Sequence, residues 1–445
     1  MTESETERTS SVLRNRHFLL LWLAQAISQT TQNAIFFALM VFIEEKTGST
    51  AHMSALILST IAPSVLLGVA AGVIVDRMRK KYVLVATNVL RAIAVFGYVL
   101  LGDSFAAIYA VNLVFSMIAQ FFGPAEAASI PLLVKRKQLV AANGLFNLTF
   151  TFSQLAGFVI IAPPVIKLFG VQALMVGSAG AYLLAALLVT LLPRGEQVLK
   201  PLLGLSRAEL LGSLGEELRD GWHLLTRDTS IKLAMMNLTV TATLMLVVAE
   251  LAPGFVSRVL GIRADDTVYV LAPAGAGVLL GTLTISRFVD RFGKAGVINF
   301  GLFVLAISLA VLALVRNAGN WLYSTMWTYP STAADVTDLP LVLGTVMVAG
   351  MVAGLMFTFV NIPSQTILQE RAPLNMRGKV FAVQLMFGNV AAVLPLVFIG
   401  ALADLVGIVQ VFVLVALVIF GVGIFSLACT KHLTDAPMEE QSSSA

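Results

Sequence analysis

The chain has 445 residues, of which 58% are hydrophobic and only 12% charged, with a formal net charge of +4. A soluble protein of this length spends about a quarter of its residues on Asp, Glu, Lys and Arg to cover its surface, so a large soluble protein is excluded and lipid is the solvent for most of the chain. The single cysteine, Cys429, excludes an internal disulfide and a cysteine-rich metal site.

The first 16 residues are polar and charged, without the short apolar core and cleavage site of a signal peptide. About 20 apolar residues cross a bilayer as a helix. Twelve such spans are predicted, at 17–43, 52–75, 82–102, 104–128, 139–168, 171–193, 230–257, 267–289, 295–316, 339–368, 378–404 and 407–430.

Span 1 carries Gln25, Ser28, Gln29, Gln32 and Asn33, with positions 25, 29 and 32 on one helical face. Span 2 runs into the charged stretch GVIVDRMRKK at 72–81, with Asp76, Arg77, Arg79, Lys80 and Lys81. Arg91 lies inside span 3, where a lone charge is costly. An acidic or carbonyl partner is therefore expected for it, Asp76 and Glu126 being candidates. Span 4 places Asn112, Ser116 and Gln120 four apart, and span 5 carries Asn143, Asn147, Thr151 and Gln154.

A linker at 194–229 follows. Leu210, Leu211, Leu214, Leu218, Trp222 and Leu225 recur there at helical spacing, which predicts one or two amphipathic helices lying on the membrane surface. Span 7 holds Asn237, Thr241 and the acid Glu250. Span 8 contains GAGVLLG at 275–281, read as close helix packing, and ends in SRFVDRFGK at 286–294 with Asp290 and Arg291. The loop at 317–338 has Trp321, Tyr323, Trp327 and Tyr329, suited to an interfacial anchor. Span 10 carries Asn361, Ser364, Gln365 and Gln369, and span 11 Gln384 and Asn389. A disordered tail is expected at 431–445.

Of the 29 Lys and Arg residues, 23 fall on the side of the N-terminus and five on the other. Basic loops stay inside, so both termini are expected in the cytoplasm of a multi-pass protein of the bacterial inner membrane. The same preference accounts for the basic residues without nucleic acid as a partner. Asp76 and Asp290 are 214 positions apart, after spans 2 and 8. That repetition predicts an all-α membrane protein of two related six-helix halves, at 1–193 and 230–430.

Spans 1, 4, 7 and 10 are polar-striped, while 6, 9 and 12 are almost bare. Helices around a water-filled cavity need such stripes, although Asn and Gln also tie helices together inside bundles. The candidate cavity set is Gln25, Gln29, Gln32, Asn33, Phe36, Asn112, Ser116, Gln120, Asn147, Gln154, Asn237, Thr241, Asn361, Gln365 and Gln384, with Phe37 and Phe115 as further aromatics. Amides, hydroxyls and rings suit a bulky, amphipathic, weakly charged molecule. No nucleophile–base pair, metal cluster or phosphate loop is visible, so neither an enzyme nor a cofactor is expected.

At this point the sequence resembles the major facilitator superfamily over essentially its whole length. The family's loop between spans 2 and 3 reads roughly G-x-x-x-D-R-x-G-R-[KR]. Gly72, Asp76, Arg77, Lys80 and Lys81 fit it, and Arg79 stands where Gly is usual. The second copy has Ser286 in place of the first Gly, then Asp290, Arg291, Gly293 and Lys294. NRHFLLLW at 15–22, FFGPAEAASIPLLV at 121–134, QLVAANGL at 138–145, ELRDGWHLLTRD in the linker and ILQERAPLNMRGKVFA at 367–382 are similar to the bacterial secretion-effector branch of enterobactin exporters and macrolide efflux proteins. The usual Arg-bearing motif of span 4 is absent, which fits that branch. Branch members often have Gly-Asp in span 1, where this chain has Thr31 and Gln32.

The resemblance implies alternating access by two rocking halves, with a small amphipathic substrate and protons as partners and a monomer as the working unit. Asp76, Arg77, Arg91, Glu126, Asp290 and Arg291 are the candidate gating latch, while Lys80 and Lys81 are read as fixing topology. Glu250 is the candidate proton carrier, being the only carboxylate well inside a cavity-lining span. Two rival readings remain at this stage: a lysophospholipid or similar lipid carrier, which AQAISQTTQNAIFFAL and LVAANGL also resemble, and a membrane sensor that keeps the fold and moves nothing.

Overall fold

The structure, a computed structural model, describes residues 12–100, 104–135, 138–193, 229–326, 340–371 and 377–435. The linker helices, most of the loop at 317–338 and the end of the tail lie outside the described residues. So do the side chains of Asp76 and Asn147.

The described secondary structure is helical throughout. The helices are α1 (Arg16–Thr47), α2 (Thr50–Asp76), α3 (Lys80–Leu100), α4 (Phe105–Leu133), α5 (Leu139–Leu155), α6 (Ala162–Thr190), α7 (Thr229–Gly254), α8 (Val268–Met326), α9 (Pro340–Arg371), α10 (Arg377–Val406) and α11 (Ile408–Asp435). A π-helical turn, Ala156–Ile161, joins α5 to α6, and a second, Phe255–Leu260, follows α7.

Among the described residues, ten stretches are long and apolar enough to cross a membrane, against the twelve expected. Two of the ten each run through a pair of predicted spans, Ala141–Thr190 through spans 5 and 6 and Ala264–Val315 through spans 8 and 9. Each is broken inside by a glycine with non-helical backbone, Gly170 at φ 83° and Gly293 at φ 71°. Only a residue without Cβ adopts such angles cheaply. Leu283 and Leu405, each more than three-quarters exposed, show the outward apolar surface that lipid requires.

The chain packs as two compact units, one of Met1–Phe42 with Ala55–Leu214, the other of Ile43–Ser54 with Gly215–Ala445. Within the described parts of the expected halves, 1–193 and 230–430, the clustering sets one segment apart. Residues 43–54, the last turn of α1 and the first of α2, belong by packing to the second unit.

In the first unit α3 packs on α4 and α6. Phe18, Leu21, Val75, Leu84, Phe122, Phe146 and Val189 are in its core, with Phe18 edge-on to Phe146 at 5.7 Å. The Lys81 ammonium donates to the carbonyl oxygens of Thr190, at 2.7 Å, and Leu192. It thus closes the C-terminal end of α6, where carbonyls are orphaned and a cation is favoured; this is a structural task beyond topology.

In the second unit α8 lies closely along α9, and α7 packs on α9 and α10. A Cβ at Gly277 would strike the Met351 carbonyl, and one at Gly354 the Ala274 carbonyl. Gly277 of GAGVLLG therefore serves backbone approach, in line with the close helix packing expected from the sequence.

Candidate functional site

The second unit carries a polar column. Asn237 and Thr241 lie one turn apart on α7 and are both buried, and Thr241 Oγ1 donates to the Asn237 carbonyl at 2.8 Å. From α9, Asn361 Nδ2 reaches Thr241 Oγ1 at 3.5 Å, and Gln365 Nε2 donates to Asn361 Oδ1 at 2.9 Å. The polar stripes read on spans 7 and 10 thus face each other. The column retains unused capacity, since the buried Oδ1 of Asn237 and Oγ of Ser364 have no hydrogen-bond partner. Gln384 on α10 is also buried.

Glu250 lies nine residues beyond Thr241 on α7, about 13 Å along a helix, and is 1% exposed. Ser54 Oγ donates to its Oε1, while Oε2 is buried without a partner. Gly400 of α10 makes this approach possible: a Cβ there would fall against Ser54 Oγ, within 2.5 Å of Glu250 Oε1 and 2.9 Å of the Thr50 carbonyl.

About two turns beyond Glu250, the π-helical turn brings the adjacent residues Ser257 and Arg258 to one partner. Ser257 Oγ donates to Glu44 Oε1 at 2.6 Å. The Arg258 guanidinium holds Glu44 bidentately, Nε to Oε1 and Nη2 to Oε2, both at 3.1 Å. It also donates to Thr50 Oγ1 at 2.9 Å and Asp404 Oδ1 at 3.1 Å. Asp404 in turn accepts from Ser49 Oγ at 2.7 Å and from the backbone N–H of Thr50 at 2.8 Å and Ala51 at 2.9 Å. A carboxylate of α10 therefore caps the orphan donors of the first turn of α2.

In the first unit the sequence-selected amides divide between two tasks. Asn112 is fully engaged in packing: Nδ2 donates to Ser59 Oγ at 2.7 Å and Thr60 Oγ1 at 2.8 Å on α2, and Oδ1 accepts from the Tyr98 hydroxyl at 3.1 Å. Ser28 donates to Asn88 at 2.8 Å. Gln25 is buried, its Nε2 3.5 Å from the Phe146 carbonyl and its Oε1 unsatisfied. Gln29, Gln32, Asn33, Phe36, Gln120 and Gln154 are half-buried. Asn33 bonds back to the Gln29 carbonyl, Phe36 meets Phe158 edge-on, and Gln120 bonds back to the carbonyl of buried Ser116. Between α1 and α5 is a cleft of about 390 Å³ lined by Trp22, Thr30, Thr149 and Phe152, with Trp22 Nε1 bonded to Thr149 Oγ1 at 2.7 Å.

Arg91 is 2% exposed. Its guanidinium carbon lies 4.8 Å from the Phe122 ring centre, 5.8 Å from Phe115 and 5.7 Å from Tyr182, and Nη2 reaches the Ala119 carbonyl at 3.4 Å. Aromatic faces and one carbonyl thus surround the charge. Glu126 is buried close enough to attract the charge electrostatically, with its Oε1 unpartnered. Phe115, expected in the cavity, packs under Arg91 instead. Arg77 is half-exposed, Asp290 is exposed, and Arg291 lies over its neighbour Phe292 at 5.3 Å. The tie made by the second charged loop runs through Lys294, which pairs with Glu370 of α9.

Residues 21–394 match the profile of the Major Facilitator Superfamily. The chain belongs to that superfamily. Among Major Facilitator Superfamily proteins it is 22% identical over 383 residues to the uncharacterized MFS-type transporter YfiS of Bacillus subtilis, covering 86% of this chain and 85% of that one. It is 22% identical to macrolide efflux protein A of Streptococcus pyogenes, covering 89% and 92%. With multidrug efflux pump Tap of Mycolicibacterium fortuitum it is 24% identical, covering 92% and 95%. Among solved structures the fold is similar to the nucleoside transporter NupG, with a TM-score of 0.71, 15% identity and coverage of 93% and 99%. It is also similar to a bacterial homolog of the lysosomal transporter Spinster, with a TM-score of 0.68, 13% identity and coverage of 93% and 96%. As a member of the superfamily the protein is a multi-pass membrane transporter and not an enzyme.

Glu44, Arg258 and Asp404 were not among the residues selected from sequence. A signal existed: Glu44 and Arg258 are 214 positions apart, the same separation as Asp76 and Asp290.

Proposed function

We propose that this transporter exports bulky, weakly charged amphipathic small molecules by alternating access, in exchange for protons, from a bacterial inner membrane with both termini in the cytoplasm. The observation that carries the reading is the polar column Asn237–Thr241–Asn361–Gln365, which is uncharged and keeps free hydrogen-bonding atoms, on the same helix α7 that buries the carboxyl of Glu250 further along. Amides and hydroxyls recognise a neutral polar pattern and impose no charge on the cargo. A sugar phosphate or dicarboxylate would require a cation in the column, and none of its four members is one. The efflux of macrolides and multiple drugs by relatives of similar length supports the same class.

Glu250 is the group assigned to proton exchange, since a carboxyl enclosed in a span with one free oxygen has a place for a proton. Asp76, Arg77, Arg91, Glu126, Asp290 and Arg291 are assigned to closing the inner side. Cellular accumulation of a fluorescent amphipathic dye tests the export reading. Cells making the protein should hold less dye than cells lacking it, and dissipating the proton gradient should abolish the difference. Equal accumulation of every dye, macrolide and siderophore tried would overturn the reading.

The cleft between α1 and α5 favours one rival. Leu148 and Phe152 on its lining are each more than half exposed toward lipid, so a lipid tail could enter sideways. Movement of labelled lysophospholipid without any response to a pH gradient would select that lipid carrier.

A further inference from the structure

We propose that Glu44, Arg258 and Asp404 form a reversible latch that holds residues 43–54 against α7 and α10 and closes the outer face during transport. The proposal rests on the transport reading above, and it assigns a role to a cluster that the polar column and the candidate inner latch leave unused.

The first argument is positional. Glu44 ends span 1 and Arg258 ends span 7, at the same place in each repeat by the 214-residue separation. The glycine turns that follow agree: Gly48 and Gly261 both have positive φ, 54° and 74°. Two repeats that placed the same residue there would bring like charges together. This chain has opposite charges, and they meet bidentately.

The second argument is connectivity. Four hydrogen bonds leave one guanidinium for three segments: the last turn of α1, the first turn of α2 and the end of α10. The first turn of α2 receives its carboxylate cap from Asp404, 354 residues away from Thr50, and not from a residue of its own. Such a cap is lost when the two segments part, and water must replace it.

The third argument is exposure. The Arg258 and Asp404 side chains are 30% and 27% accessible while Glu44 is 3% accessible, so water can take over the hydrogen bonds on the Arg258–Asp404 side first on separation. A fully buried network would make opening prohibitive, and a wholly exposed one would hold nothing. Charge-assisted bonds at a half-wet rim fall between, at a strength that conformational switching can reverse. Gly400, one turn before Asp404, lets α10 sit against Thr50 and Ser54 in the held state.

The test uses the full-length protein in lipid nanodiscs, in a Cys429→Ser background, with spin labels at Glu45→Cys and Gln410→Cys. Pulsed electron–electron distance measurements then report whether 43–54 is held. Arg258→Gln should lower the ratio of short-distance to long-distance populations roughly ten-fold, a typical shift for such equilibria. Glu44→Gln and Asp404→Asn should shift it the same way. The double variant Glu44→Gln/Arg258→Gln should be no more open than Arg258→Gln alone, because both act on one contact. Arg258→Lys, which keeps the charge and loses the fork, should lie between Arg258→Gln and the unsubstituted protein. Unchanged distance distributions across the folded variants, or strictly additive shifts, would overturn the latch and leave a static staple. Dye export separates the two readings: shifted distances with no export of any compound would retain the latch and remove the exporter, and export with unshifted distances would do the reverse.

Discussion

Two glycines ten residues apart on α9 should respond oppositely to the same methyl group. Gly354 faces Ala274 of α8, and an added Cβ would fall on the Ala274 carbonyl, with the Ala274 Cα at 3.1 Å. These are backbone atoms, which cannot rotate aside, so α8 and α9 must separate. Overpacking of this kind costs about 1–3 kcal/mol. Alanine's better helix propensity returns up to about 1 kcal/mol, so Gly354→Ala should be destabilising by roughly 1–2 kcal/mol. Gly344 has no atom within 4 Å of its would-be Cβ, so Gly344→Ala keeps the propensity gain alone. Thermal unfolding in detergent, followed by size-exclusion chromatography, should show a Tm a few degrees lower for Gly354→Ala and an unchanged or higher Tm for Gly344→Ala. Because α9 also carries Asn361 and Gln365, Gly354→Ala should weaken transport as well. Equal Tm values for the two variants would refute the close approach of α8 and α9.

Glu250→Gln should abolish the dependence of export on a pH gradient while substrate binding, measured by dye fluorescence, persists; retained dependence would move proton exchange to another residue. Asn112→Leu, which removes the ties to Ser59, Thr60 and Tyr98, should lower stability by about 1–3 kcal/mol and leave the affinity for substrate unchanged. Asn361→Leu, which breaks the polar column, should do the reverse, weakening binding several-fold with little change in Tm. Asp76→Asn should slow transport with normal membrane insertion, and full activity would remove Asp76 from the inner latch.

The spans were legible because lipid imposes one simple demand, a long apolar helix, and because the charged loop recurs at a fixed separation. The glycines of GAGVLLG were legible for a related reason: small residues inside an apolar span have few purposes other than contact. The division of the amides was not. Asn112 and Asn361 occupy similar places in their stripes, and only the side chains opposite distinguish a tie to α2 from a column member. Arg91 was read as needing an acidic or carbonyl partner, and the Ala119 carbonyl is one; its aromatic surroundings were not foreseen, although Phe115, Ala119 and Phe122 trace one face of α4 at helical spacing. The Glu44–Arg258–Asp404 cluster escaped because each member alone looks like an ordinary charge at the end of a span. Pairing across 214 and 146 positions depends on packing that no local pattern encodes.

The measurement that bears most directly on the exporter reading is proton movement in inverted membrane vesicles carrying a preformed pH gradient. Siderophores, macrolides, dyes and lysolipids are added in turn, to vesicles with the protein and to vesicles without it. The account predicts that at least one amphipathic, weakly charged compound collapses the gradient only where the protein is present, and that Glu250→Gln vesicles do not respond. A gradient untouched by every compound, while labelled lysolipid still crosses, would contradict proton-coupled export.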